Sequence, residues 1–257
     1  MTDAAVPRSI PAGPDDDGYE GLCACCGARS EFLRGHPSLR EGYACGSCRA
    51  SLRYRGQAEL LLRCYGEPGT RHLGELVRQP RFAALEIFEP GVSGAFRPYF
   101  STLPNYRNSF FRPDTPPGER RDGVECQDLE RLTLGSDTLD LVVSSDILEH
   151  VRRPWTAFEE IHRVLRPGGR HVFSIPIQLP MRLVSRARVD TRGDEDLPLE
   201  EPRFHGDGAG GRSLVYTDFG LDLIERLLRI GFLVTAHRPA EDNAEAKRLV
   251  TFSAEKL

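Results

Sequence analysis

The chain has 257 residues and a formal net charge of -4, with 39% hydrophobic and 28% charged residues, proportions that fit a globular protein. Its length accommodates one large domain plus a small one. The mild negative charge excludes a global field that would gather nucleic acid or anionic membrane, and no apolar run is long enough to span a bilayer.

Residues 1–20, rich in Pro, Asp, Ala and Gly, lack the charged-then-apolar order of a signal peptide and read as a disordered leader. With no secretion signal, a cytoplasmic location is expected. The seven cysteines then call for something other than a disulfide framework. Cys23 and Cys26 form one CxxC pair, Cys45 and Cys48 another, at the spacing of a zinc ribbon over 21–50. Each CxxC turn aims two thiolates at one point, and two turns close a tetrahedron around zinc. Gly27 and Gly46 stand where the knuckles need open backbone angles. Phe32, Leu33, Leu39 and Tyr43 are too few for a core, so the metal supplies much of the stability. Four thiolates leave no open position, which makes the zinc structural. Cys25, inside the first knuckle, could compete as a ligand, and a redox CxxC pair is the other reading of the cysteines. Arg29, Arg34, Arg40, Arg49, Arg53 and Arg55 crowd this region as a phosphate- or RNA-binding patch or a solvated surface.

Over 51–80 two linking helices are expected: Ser51 to Tyr65, with Leu52, Ala58, Leu61, Leu62 and Tyr65 at helical spacing, and Thr70 to Arg78, ended by Pro80. Residues 81–257 then alternate strand and helix. Strands are expected at Phe82–Phe88, Tyr106–Phe111, Gly123–Cys126, Leu139–Ser144, Arg170–Ile177, Phe232–Ala236 and Leu249–Phe252. Helices are expected at Pro154–Leu165 and from Thr217 to Leu228, the latter with Leu221, Ile224 and Leu228 inward. This is an α/β domain with a mainly parallel, Rossmann-like sheet and helices on both faces, whose ligands bind beyond the carboxyl ends of the strands. Residues 178–212 form a long insertion of the kind that serves as a lid.

The stretch Ser136-Asp-Thr-Leu-Asp-Leu-Val-Val-Ser-Ser-Asp-Ile-Leu-Glu-His-Val151, followed by Ala157-Phe-Glu-Glu-Ile-His-Arg-Val-Leu-Arg-Pro-Gly-Gly169, resembles the fourth strand, helix and fifth-strand turn of class I S-adenosylmethionine-dependent methyltransferases, closest to those of type 11. The resemblance extends weakly from about Phe82 to the C-terminus. One such group also carries a cysteine ribbon and segments similar to Pro202–Asp207 and Ser213–Gly220. The resemblance implies a methyltransferase fold that takes S-adenosylmethionine. It implies that Glu86 organises the cofactor loop, with Phe88, Glu89 and Gly91 following. Asp128 would sit beside the adenine amino group and Leu129 on the ring. Ser144 and Ser145 would offer backbone to the methionine amino group, with His150 at the cleft mouth. Two departures stand out. The loop reads Glu86-Ile-Phe-Glu-Pro-Gly-Val-Ser-Gly94, with Phe88 and Pro90 where glycines are usual. The second strand, ending Asn108-Ser-Phe-Phe111, has no acid for the ribose until Asp114; Glu89 or Asp114 could substitute.

Methyl transfer is an in-line displacement that needs a positioned nucleophile and, for a hydroxyl, a base. His205, in a polar loop with Asp207 to orient it, is the first candidate base, followed by His150 and Tyr216. Arg186, Arg188, Phe204 and Asp207 are candidate substrate contacts, the arginines for a phosphate or carboxylate. Three functions are open: methyl transfer to a small-molecule acceptor (a sugar, nucleotide-sugar or natural-product scaffold, at O or N), RNA methylation through the ribbon arginines, and a non-catalytic scaffold with a decayed cofactor loop. Oligomeric state has no signal here.

Overall fold

The computed structural model describes residues 18–177, 180–206 and 210–257. The ribbon is an antiparallel sheet of β1 (Tyr19–Leu22), β2 (Arg29–Leu33) and β3 (Ala44–Cys45), in that order. It begins within the expected leader: the Tyr19 ring packs on Phe32 and Tyr43, and its hydroxyl accepts a hydrogen bond from Arg55 at 2.6 Å. The rest of the leader lies outside the described residues.

Helix α1 (Leu52–Tyr65) follows, then two single-turn helices, α2 (Leu73–Leu76) and α3 (Pro80–Ala83). Pro80 starts α3 instead of ending a helix, since its fixed φ suits a first helical turn. The strand expected from Phe82 therefore begins later, as β4 (Ile87–Pro90). Then come α4 (Arg97–Phe100), β5 (Tyr106–Ser109), β6 (Arg120–Arg121), β7 (Val124–Glu125), β8 (Leu139–Ser145), a 3-10 turn at Leu148–His150 and α5 (Pro154–Val164). Strand β9 (Leu165–Ser174) starts earlier than expected. The Pro167-Gly168-Gly169 turn lies within it as an irregularity, with Gly168 at φ +78° and the register to β8 shifting between Leu139 and Leu141.

The insertion is built of short pairings rather than irregular chain: β10 (Arg186–Ala187), β11 (Val189–Asp190), β12 (Leu197–Pro198), β13 (Phe204–Gly206), β14 (Arg212–Leu214) and β15 (Thr217–Asp218). Strand β13 pairs with β14, and β15 returns to β10. Thr217 is thus in a strand, and the next helix, α6, spans Asp222–Ile230. Its inward residues are Leu223 and Leu227, whereas Leu221, Ile224 and Leu228 are exposed. The sheet closes with β16 (Phe232–His237) and β17 (Thr251–Lys256).

Eight strands run in the order β16-β17-β9-β8-β4-β5-β7-β6. Strands β9, β8, β4, β5 and β7 are parallel to one another, and β17 is antiparallel to both neighbours. Both faces are covered, so β8 buries Leu141 and Val143 on one side and Val142 on the other. One layer holds α5 and α6 over Phe88, Val142, Phe173 and Phe252. The other holds α1, α2 and α4 over Ile87, Leu141, Val143 and Val172, continuous with Phe32, Tyr43 and Cys45 of the ribbon. Helix α1 is therefore a layer of the main domain, not a linker. Gly56 allows this approach: a Cβ there would stand 2.8 Å from Leu249 Cδ2.

Among the described residues, no helix is long and apolar enough to cross a membrane.

Candidate active site and metal centre

The two knuckles are equivalent. Gly27 N–H donates to Cys23 O at 2.8 Å and Arg49 N–H to Cys45 O at 2.9 Å. The residue after each second cysteine is left-handed, Gly27 at φ +76° and Arg49 at φ +63°. That position in the second knuckle is Arg49, so Gly46 is not the residue that needs the open angle. The sulfurs of Cys23, Cys26, Cys45 and Cys48 all lie within 4.8 Å of one another, with Cys23–Cys48 at 3.7 Å and Cys26–Cys45 at 3.8 Å. A tetrahedron with bonds of about 2.3 Å has edges of about 3.8 Å, so this donor set fits zinc without rearrangement. Cys25 stands outside it, its thiol 3.7 Å from the Tyr54 carbonyl.

The ribbon arginines mostly hold the ribbon to the large domain. Arg40 makes a two-pronged contact with Asp146, just past β8, and donates to Ile175 O at 2.6 Å. Arg53 reaches Glu41, Asp146 and the Ser145 carbonyl. Arg34 and the Tyr43 hydroxyl meet Glu245. Arg55 is buried, 2.5 Å from Glu241 and stacked over the Phe32 ring. Arg29 and Arg49 remain exposed.

Strand order reverses about β4: its successor β5 lies on one side and β8 on the other. Open α/β sheets bind ligands beyond the carboxyl ends at such a switch point. Here those ends carry the loop Pro90–Gly94 and the segment Ser145–His150. Gly91 and Gly94 take φ of +145° and +144°. A Cβ on Gly91 would meet nothing nearer than Ser93 O at 3.9 Å and Ile147 Cδ1 at 4.0 Å, so the loop leaves an open cradle beside Ile147. Glu89, near the end of β4, is buried and accepts the Tyr106 hydroxyl at 2.6 Å. Burial pushes its carboxyl up to about 7. Glu89, not Glu86, is the acid at this end. Glu86 precedes β4 at the opposite end, where its backbone pairs with Asp140. The Phe88 side chain is removed from the cleft as well, being buried beneath α5.

The adenine-side candidates lie past β7. Asp128 accepts the Glu130 N–H at 2.9 Å, and Leu129 packs into the α5 layer. At the end of β5, Asn108 donates to Gly91 O at 3.3 Å, while Asp114 is exposed and paired with Arg121. Ser144 faces inward: its carbonyl accepts from Gln57 at 2.9 Å and its hydroxyl meets His171 Nε2 at 2.8 Å. The Ser145 carbonyl accepts from Arg53 at 3.1 Å, and its hydroxyl donates to Gln57. Helix α1 thus uses much of the backbone assigned from sequence to the methionine end.

His150 and His205 do come together, their rings edge to face at 5.0 Å. The lid places His205 on β13, and β14 supplies the Leu214 carbonyl 2.8 Å from His150 Nδ1. Burial lowers both histidines below their ordinary value. Between them is Glu149, 1% exposed, its carboxyl pushed up to about 8 by burial. The Tyr216 hydroxyl is engaged elsewhere, donating to Asp196 at 2.6 Å, so it is not poised as a base. Arg188 is buried against Glu200 and Asp218, and Arg186 also pairs with Glu200. The Arg188 guanidinium is therefore not presented to a ligand, whereas Arg186 is half-exposed. Phe204 is partly exposed beneath Arg212. Asp207 lies outside the described residues. Sequence reasoning missed Asp146, Gln57 and Glu149; the signal for Glu149 was its place inside the Leu148-Glu-His150 motif itself.

The family model for the methyltransferase domain matches residues 113–173, a stretch that contains Asp128, Leu129 and the whole Ser145–His150 segment. The resemblance read from Ser136 to Gly169 is therefore borne out. An uncharacterized methyltransferase of Mycobacterium ulcerans is 46% identical over 48 residues, 19% of each chain. The malonyl-[acyl-carrier protein] O-methyltransferase of a Marinomonas species is 42% identical over 62 residues, 24% of this chain and 23% of that one. The chain thus spans about a fifth of the length of these curated relatives. Among solved structures, an S-adenosylmethionine-dependent methyltransferase from Mesorhizobium loti aligns over 67% of this chain and 91% of its own at 21% identity and a TM-score of 0.43.

Proposed function

We propose that the chain is a cytoplasmic S-adenosylmethionine-dependent methyltransferase acting on a small-molecule acceptor, with a structural zinc in its ribbon. One observation carries this reading. The switch point between β4 and β8 joins an open glycine cradle, a buried acid and the methyltransferase-like Ser145–His150 segment in one cleft. The residues present suit the cofactor at its two ends. Gly91 would admit the methionine end beside Glu89, Gly94 lets the loop pack on the Tyr54 ring, and Asp128 would accept from the adenine amino group. When bound, the cofactor supplies an electrophilic methyl group. Asn108 stands where an acid usually holds the ribose, so a weaker grip on that part is expected.

This chain's own residues then position the acceptor. His205, on the β13–β14 hairpin, would face the acceptor, while Phe204 beside it on the strand is turned to the exposed side beneath Arg212. The neutral His205 takes the acceptor proton if that atom is a hydroxyl or amine. A small acceptor is favoured because four of the six ribbon arginines are neutralised by acids of the same chain, which leaves little cationic surface for RNA. The positive-φ glycines favour a working loop over a decayed one. Four thiolate ligands need a reducing compartment, which supports the cytoplasm. S-adenosylhomocysteine at a hundred times its Kd stabilises a protein that binds it by about 2.7 kcal/mol. A raised Tm of the zinc-loaded chain is expected; an unchanged Tm at millimolar ligand contradicts the proposal.

A further inference from the structure

We infer that Glu149, His150 and His205 form a second, non-zinc-ribbon metal site that takes one divalent first-row cation through one carboxylate and two imidazole ligands. Four observations support it. First, one ligand atom from each residue lies within 4.8 Å of the others, Glu149 Oε1 being 3.6 Å from His150 Nε2 and 3.9 Å from His205 Nδ1. Ligands of an ion bound at about 2.1 Å sit roughly 3 to 3.5 Å apart, so the two contacts from Glu149 need only a small shortening to reach that range. Second, both Glu149 oxygens are buried and lack a hydrogen-bond partner among the described residues. A buried, unsatisfied carboxylate is costly and needs a counterpart.

Third, the His150 tautomer is set. Its Nδ1 can only donate to the Leu214 carbonyl at 2.8 Å, so in the neutral ring the Nε2 lone pair is turned toward Glu149. At 3.6 Å from Glu149 Oε1 that lone pair is beyond hydrogen-bond reach, so a proton does not bridge the two groups, whereas an ion between them would. An outer Nδ1–H···O=C bond is also what orients metal-bound histidines. Fourth, the site is reachable, because His205 is partly exposed and enters from the β13 hairpin, opposite the 3-10 turn that carries the other two. The nearby carboxylate Asp146 is committed to Arg40, Arg53 and Ser174, so it neutralises those arginines and not the ion. Two imidazoles and one carboxylate suit Mn²⁺, Fe²⁺, Co²⁺ or Zn²⁺ and leave open positions. If the proposed methyl transfer holds, a bound ion would replace His205 as the group that activates the acceptor: it would bind an acceptor oxygen and lower its pKa, which points to a hydroxyl-bearing substrate such as an enol, phenol or vicinal diol.

The test is calorimetric titration of the full chain, its ribbon loaded with zinc, with Co²⁺, followed by the visible spectrum. Thiolates hold zinc more tightly than cobalt, and zinc content measured before and after confirms that the ribbon is untouched. The expected result is one equivalent of Co²⁺ with an oxygen- and nitrogen-ligated spectrum free of sulfur charge-transfer bands. Affinity should fall at least the 10- to 100-fold that even an outer partner's loss costs in both Glu149→Gln and His205→Ala. His205 is on a partly exposed hairpin and Gln is isosteric with Glu, so both variants should fold, as a thermal melt would show. No cobalt beyond the ribbon, or binding unchanged in both variants, overturns the inference. S-adenosylhomocysteine binding measured on the same samples separates this failure from that of the methyltransferase reading.

Discussion

Replacing Asp146 by Asn tests how the ribbon is fixed to the switch point. Asp146 lies in the left-handed region at φ +54°, which Asn tolerates as well as Asp, so the change removes charge without straining the backbone. The side chains involved are little exposed: Asp146 17%, Arg40 14% and Arg53 11%. Arg53 keeps Glu41 at 2.7 Å, whereas Arg40 is left with only the Ile175 carbonyl. Removing one partner of a buried pair costs roughly 3 to 5 kcal/mol. With Arg53 still paired and one amide oxygen retained, the lower end applies, about 3 kcal/mol. At a urea slope of roughly 2 to 3 kcal/mol/M, that lowers the midpoint by about 1 to 1.5 M. Urea unfolding of zinc-loaded wild type, Asp146→Asn, Arg40→Met and the double variant forms the assay. A coupling of about 1.5 kcal/mol or more is expected between the two positions. A single-variant loss below about 1 kcal/mol with no coupling would show that the ion pair does not hold the ribbon.

Two further outcomes follow. His171 is fully buried between Phe158 and Phe173. Burial drives its pKa down to about 3, so the unfolded chain binds the extra proton between about 6.5 and 3. The stability it contributes is complete above pH 6.5 and is lost as pH falls through that window, by up to about 1.4 kcal/mol per pH unit. His171→Gln keeps a partner for Ser144 and should flatten that part of the slope between pH 6.5 and 4.5; an identical slope in the variant would refute the assignment. Stripping zinc with a chelator should unfold more than the ribbon, because Phe32, Tyr43 and Cys45 share a core with Ile87 and Val143. Hydrogen exchange should quicken along α1 as well as β1–β3, and an effect confined to residues 18–50 would contradict the shared core.

The clustering of Cys23, Cys26, Cys45 and Cys48 was legible because CxxC geometry is local, and β8 and α5 because burial on both faces of a strand and along one stripe of a helix leaves a clear pattern. What escaped was set by tertiary contact. Nothing in the run Phe82–Phe88 tells that Pro80 nucleates a helical turn and delays the strand, which moves the acid at the carboxyl end of the strand from Glu86 to Glu89. The stripe of α6 was read a residue out of phase, because Leu221, Leu223, Ile224, Leu227 and Leu228 offer two overlapping apolar faces and only packing chooses Leu223 and Leu227. The ribbon arginines read as a phosphate- or RNA-binding patch or a solvated surface, and neither reading foresaw that Asp146, Glu241 and Glu245, distant in sequence, take most of them up. The burial of Glu149 was hidden for the same reason, since it depends on the lid folding back over the 3-10 turn.

The central claim is that the Glu89–Gly94 loop and the Asp128 turn build one cofactor site at the β4–β8 switch. Calorimetric titration of zinc-loaded protein with S-adenosylhomocysteine tests it most directly. The account predicts one-to-one binding, weakened at least tenfold by Asp128→Ala and by Glu89→Gln and unaffected by Glu86→Gln, at the other end of the strand. Absence of binding at millimolar ligand with the protein folded, or equal sensitivity to Glu86→Gln, would contradict it.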